Sequence, residues 1–164
     1  MVTQDSINQT LSSKWTELKN KITKPKEGGL ISELLKERLV VFLEETTRDG
    51  AISTLVERLD EEGALLSKES FQTALFEREK IVSTGIGIGV AVPHAKMADC
   101  KDFFMIVGLQ KNRGIEWNAL DGSKVKLIFM IGGPDNKQTE YLKILSCLTH
   151  AIKDEERRRR LLDC

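Results

Sequence analysis

Cysteine, histidine and proline are scarce in this chain of 164 residues: three, two and three copies respectively. The cysteines, Cys100, Cys147 and Cys164, are odd in number and form no C-x-x-C pair. Neither a disulfide framework nor a cysteine zinc site is expected, and reduced thiols in a cytoplasm are. Of the two histidines, His94 and His150, the second falls on a predicted helix, so a histidine metal site is not expected and no metal or cofactor is required. Neither sign of charge is in excess, with 25 basic and 25 acidic residues, so global charge gives no reason to expect a nucleic-acid partner. No apolar run approaches a membrane span, and Met1 to Asp5 lack the basic and apolar regions of a signal peptide. The expectation is a cytoplasmic protein without membrane insertion. Nucleotide and hydrolase motifs are missing too. Gly85-Ile86-Gly87-Ile88-Gly89 is not G-x-G-x-x-G, no Gly-Lys-Ser/Thr loop occurs, and there is no G-x-S-x-G elbow.

What is present suits one soluble domain: 40% apolar and 30% charged residues. Ile7, Leu11, Trp15, Leu18 and Ile22 lie on one helical stripe, and residues 24 to 29 (KPKEGG) read as a linker. The stripe is expected to cover apolar surface of the domain. Leu39 to Leu43 reads as a strand, and Ala51 to Leu59 as a helix. Ser67 caps another helix running to about Phe76. The Gly-rich stretch should be extended through Val92. Phe104 to Leu109 and Val125 to Ile131 are apolar runs, with Asp121-Gly122 between them as a hairpin signal. Gln138 to Ile152 is helical by spacing, and Asp154 starts a last short helix. The acids of that helix come first and Arg157 to Arg160 last, which reads as a solvated helix face. Together these elements predict an α/β domain with a single mixed sheet of about five strands flanked by helices on both faces, plus the extra N-terminal helix.

The most informative segment is residues 78 to 95, REKIVSTGIGIGVAVPHA, which ends on Pro93-His94-Ala95. Two readings of His94 stand side by side. It is a partly buried histidine bonded to a backbone carbonyl, or an imidazole set at a strand end beside Gly-rich backbone for chemistry on an anion. Neutral imidazole is a nucleophile near pH 7. The residues alone name no electrophile.

The segment resembles the signature of the mannitol/fructose-type (type 2) enzyme IIA of the bacterial phosphotransferase system. Glu79 opens the match, Ile86-Gly87 sit in its middle, and Val90-Ala91-Val92-Pro93-His94-Ala95 close it. Gly114 to Gly122 and Val125 to Pro134 are similar to later segments of that family. The likeness covers about residues 30 to 163. It divides the chain into residues 1–29, helix and linker, and 30–164, the enzyme IIA domain. It implies a phosphocarrier whose His94 accepts a phosphoryl group from the histidine-containing phosphocarrier protein, and so a phosphotransferase with a phosphohistidine intermediate. Arg78, at the position of the family's arginine, is expected to support the phosphate, as are Ser83, the backbone N–H groups near Thr84, Gly85 and Gly87, where glycine lets an anion approach closely, and Tyr141. Tyr141 stands where the family usually has a second histidine, and it keeps a donor while losing the capacity for charge. The family typically continues one helix beyond the segment matching Leu161-Leu162. The Arg78-Glu79-Lys80 and Ser83-Thr84-Gly85-Ile86-Gly87 runs, with no transporter segment fused to them, are similar to the nitrogen-regulatory branch, which implies a regulatory target as output. The alternatives are a sugar-specific IIA passing phosphate to a IIB cysteine, and a degenerate regulator that binds partners without turnover.

Overall fold

A computed structural model describes residues 29–163; the N-terminal stripe and most of the linker lie outside the described residues. Residues 38–138 make up one compact unit, and residues 29–37 with 139–163 belong to a second. The architecture is mixed α/β, with one open sheet of six strands.

A 3-10 turn, Glu37–Leu39, runs into β1, Val40–Phe42. Helix α2 spans Arg48–Glu61, and α1 is the Gly29–Leu34 helix of the second unit. In α2 the Thr47 hydroxyl accepts from the Gly50 amide at 3.2 Å, satisfying one of the donors that every helix start leaves open. Ala51, Ile52, Leu55, Val56 and Leu59 then form its buried stripe, as the spacing predicts.

Helix α3 spans Lys68–Ile81 and is capped by Ser67, whose hydroxyl accepts from the Ser70 amide at 3.3 Å. It runs five residues beyond the expected end at Phe76. The buried positions are Phe71, Leu75 and Glu79, each four apart, so the stripe continues through a residue that is not apolar.

The Gly-rich stretch is not one extended strand. It folds into β2, Gly85–Gly87, and β3, Val90–Ala91, paired antiparallel with a register shift between Gly85 and Gly87. Positive φ at Gly87 (93°), Ile88 (53°) and Gly89 (75°) turns the chain back. After Pro93 comes β4, His94–Met97. Both β3 and β4 run parallel to β6, Leu127–Pro134, with Ala91 opposite Ile128 and His94 opposite Ile131. They are two pieces of one line, interrupted where Val92 donates to the Thr84 carbonyl at 2.9 Å and Pro93 has no N–H to offer. His94 is therefore the first residue of a strand rather than the last.

Strand β5, Phe104–Leu109, lies between β1 and β6, parallel to the first and antiparallel to the second. The β5–β6 link is a long loop rather than the tight hairpin that Asp121-Gly122 suggests; a bridge between Ile115 and Val125 narrows it. The sheet order is β1-β5-β6-β3-β2, with β4 also on β6. Helices α2 and α3 pack on one face, where Leu55, Leu75 and Phe71 meet Ile106, Ile128, Met130 and Ala95. Each such side chain contributes roughly 1.5–3 kcal/mol on burial. Gly132 lets Phe104 and Phe71 close over β6, since a Cβ there would sit 2.2 Å from Phe104 Cζ. The alternate residues Met105, Val107, Phe129 and Ile131 are buried as well.

The second unit contains α1, α4 (Gln138–Ile152) and α5 (Glu155–Leu162). Tyr141, Ile144, Leu148, Ala151 and Ile152 are the buried residues of α4. Helix α1 falls outside the elements expected from sequence, although Ile31, Leu34 and Leu35 carry helical spacing. In α5, Asp154 caps the Arg157 amide at 3.0 Å, and Arg159 and Arg160 pair with Glu155 and Glu156 one turn back. This is the solvated face expected of the Arg157–Arg160 run.

Candidate functional site

His94 is half-buried at the N-terminal end of β4, and both of its ring nitrogens have defined neighbours. Nδ1 lies 2.7 Å from the Val92 carbonyl oxygen. A carbonyl can only accept, so Nδ1 carries the proton and Nε2 presents a lone pair. Arg78 Nε–H donates to that Nε2 at 3.3 Å. The same guanidinium donates through Nη1 to the Val82 carbonyl at 2.9 Å, which ties Arg78 to the extended residue that ends α3. Burial pushes the imidazole below its ordinary value of 6.5, and the Arg78 and Lys96 cations push the same way, against the Val92 hydrogen bond and the Glu79 charge. The ring is thus a neutral base at physiological pH.

Of the residues expected round His94, the structure brings Arg78 into direct contact. Ser83 and Thr84 are close in the chain but turned to other work. The Ser83 hydroxyl donates to the Trp117 carbonyl at 2.9 Å and accepts from the Gly85 amide at 3.1 Å. The Thr84 amide donates to Glu79 Oε2 at 3.2 Å, and its hydroxyl donates to Glu79 Oε1. The amides of Thr84 and Gly85, expected to meet an anion, are therefore engaged within the loop. Gly87 also has a local reason to be glycine, because a Cβ there would lie 2.9 Å from Asp121 Oδ2. Tyr141 is a buried residue of α4 in the second unit.

Sequence reasoning missed Glu79 as a buried group. It is 6% exposed, beside Thr84 at 3% and Trp117 at 1%. Trp117 Nε1 donates to Glu79 Oε1 at 3.3 Å and to Thr84 Oγ1 at 3.2 Å. The available signal was an acid standing one helical step beyond Phe71 and Leu75. A second carboxylate, Asp121, accepts from the Ile88 amide at 2.9 Å and from the Ser123 amide and hydroxyl at 3.0 and 2.7 Å.

A half-buried neutral histidine with one proton-free nitrogen facing an arginine has the chemistry to act as a nucleophile beside a cation that could hold an anionic group. Residues 33–164 match the model of the phosphoenolpyruvate-dependent sugar phosphotransferase system EIIA 2 family. The chain belongs to that family. It is 34% identical over 134 residues to the fructose-specific EIIABC component of Bacillus subtilis, covering 81% of this chain and 21% of that protein. It therefore spans about a fifth of that relative's length. It is 33% identical over 126 residues to the fructose-specific EIIA component of Haloferax volcanii, covering 76% of this chain and 81% of that one. Among solved structures, the nitrogen regulatory protein IIA-Ntr from Neisseria meningitidis superposes with a TM-score of 0.75 at 31% identity, over 82% of this chain and 91% of that one. Relatives thus include both sugar-specific and nitrogen-regulatory proteins. Among the described residues, no helix is long and apolar enough to cross a membrane.

Proposed function

We propose that this protein is a phosphocarrier that takes a phosphoryl group on His94 Nε2 from the histidine-containing phosphocarrier protein. The observation that supports it is the division of the ring: Nδ1–H held by the Val92 carbonyl at 2.7 Å, Nε2 facing Arg78 at 3.3 Å. In the transfer, the Nε2 lone pair attacks the phosphorus of the donor phosphohistidine. An N–P bond forms as the donor's N–P bond breaks, and the donor imidazole leaves with its electron pair. No proton has to depart from Nε2. The acceptor ring, substituted at both nitrogens, gains positive charge beside the Val92 carbonyl, while the phosphoryl oxygens gain Arg78 as a charge-assisted donor. Catalysis of this kind is mostly positioning and charge stabilisation. The cations that disfavour imidazolium at this point favour the phosphoryl anion there. The rate is expected to fall as pH drops below the lowered imidazole value, because protonation removes the lone pair.

The output proposed is regulatory, by binding a target protein, as the likeness to the Neisseria nitrogen regulatory protein supports. Onward transfer to a IIB cysteine in sugar uptake is the second reading, and the match to the Haloferax fructose-specific component favours it. Tyr141 is proposed as a hydroxyl donor to the phosphorylated ring. The test is incubation with phosphoenolpyruvate and the general phosphotransferase proteins, read by intact mass. His94→Ala should gain nothing and His150→Ala one phosphoryl group; labelling that persists in His94→Ala overturns the assignment. Adding a IIB domain separates the outputs, since only a sugar-uptake carrier should discharge to it. Tyr141→His should transfer at least as fast as the parent, because imidazole takes on charge that a phenol does not.

A further inference from the structure

We infer that Glu79 is a positioning residue for phosphoryl transfer, holding through Thr84 the Val92 carbonyl and the Arg78 guanidinium that meet the His94 ring; this rests on His94 being the phosphoacceptor. Glu79 is an unusual occupant of the buried stripe of α3. It is 6% exposed, forms no ion pair among the described residues, and accepts there only from neutral donors: the Thr84 amide and hydroxyl and the Trp117 indole. A buried carboxylate is costly unless its oxygens are satisfied, and here they are. An apolar side chain at this step would fill the stripe without closing the loop.

Thr84 is where two chains of contact divide. Its carbonyl accepts from the Val92 amide at 2.9 Å, and the Val92 carbonyl in turn holds His94 Nδ1 at 2.7 Å. On the other side, Glu79 reaches from the helix to Thr84 and closes the turn that contains Val82. The Val82 carbonyl holds Arg78 Nη1 at 2.9 Å, and Arg78 Nε meets His94 Nε2 at 3.3 Å. The proton on Nδ1 and the cation opposite Nε2 therefore depend on one buried acceptor that touches neither nitrogen. Ser83, bonded to the Trp117 carbonyl at 2.9 Å, braces the same turn from the neighbouring loop.

The variants are Glu79→Gln, which turns an NH2 toward one of the donors, and Thr84→Val, which deletes the hydroxyl at nearly constant shape. Nitrogen-15 NMR of the unphosphorylated full chain reads the Arg78 Nε–H and both His94 ring nitrogens, so this arm is independent of whether His94 accepts phosphate. Stopped-flow transfer from the phosphorylated phosphocarrier protein reads maximal rate and KM. In both variants the Arg78–His94 signal should be lost, and the maximal rate should fall on the order of tenfold or more with KM unchanged. Glu79→Gln combined with Arg78→Ala should lose less than the product of the two single losses, because the Arg78 branch is then already gone and only the Val92 branch is left to disturb. If Glu79→Gln does not fold, Thr84→Val carries the same comparison. A folded variant that keeps the Arg78–His94 signal, or rate losses that multiply with Arg78→Ala, overturns the inference. A parent protein that takes no phosphate overturns the acceptor reading instead, and the NMR arm still judges Glu79.

Discussion

Glu79 and Asp121 do the same job in different surroundings. Each carboxylate accepts three hydrogen bonds from neutral donors, and each closes a loop of the Gly-rich segment that leads to His94. Glu79 is buried beneath the loop, whereas Asp121 is exposed at its tip. The difference lies in what replaces the carboxylate when it is removed. Water reaches the donors at the tip and satisfies them. It does not reach the Thr84 amide without opening the core, so an orphaned donor there keeps its full desolvation penalty. The number of bonds is a poor guide to their worth, and burial decides it.

Glu79→Ala should show the largest effect on stability. It strands the Thr84 amide and leaves a cavity, although Trp117 Nε1 keeps Thr84 Oγ1 as an acceptor. A loss of about 2–4 kcal/mol is expected from urea titration. A loss no larger than that of Asp121→Ala would break the contrast. Gly87→Ala should come next, at about 1–2 kcal/mol. Its φ is +93°, and the added Cβ would sit 2.9 Å from Asp121 Oδ2, so the substitution strains the backbone and displaces the latch together. Combining it with Asp121→Ala should recover part of the loss, because the colliding oxygen is gone. Equal losses in both backgrounds would show that the backbone conformation alone is responsible.

The smallest effect is on pH dependence. The Ser123 hydroxyl, then the Ile88 and Ser123 amides, hold the Asp121 carboxyl down to about 2, below its ordinary 3.8. The sign follows from a depressed native value. The tip latch is complete above the unfolded value and is lost as pH falls through the folded one. The Ile88 amide shift, followed by NMR, should therefore titrate near pH 2 rather than near pH 4. A midpoint near the ordinary value would mean that the three donors do not favour the ionised form.

The strain at Ile88 sharpens the same point. A β-branched residue at φ 53° is an outlier, and it sits at the exposed tip between two glycines of positive φ. The Asp121 bond to its amide and the Ser123 bond to the Gly89 amide hold the turn. In sequence the alternation of Gly and Ile looks like a strand. Nothing local says that the chain doubles back, because the residue that normally marks such a turn is replaced by isoleucine.

The sequence by itself determined the family and pointed to the residue proposed as phosphoacceptor. The helical stripes of α2 and α4, the helix starts at Ser67 and Asp154, and the apolar runs of β5 and β6 are local patterns, and local patterns are read from spacing. Val90 to Ala95, which contains Pro93-His94, carried the family resemblance and His94 with it. What only the tertiary structure decided is which groups face that histidine and which are turned away. Arg78 reaches Nε2 because α3 runs on to Ile81. The amides of Thr84 and Gly85 are drawn inward because a carboxylate and a serine hydroxyl lie closer than solvent. Glu79 became legible only when its helix was seen to bury it. Spacing tells which face a residue is on, but the partners that make a buried charge tolerable come from Thr84, five residues further along the chain, and Trp117, on a distant loop.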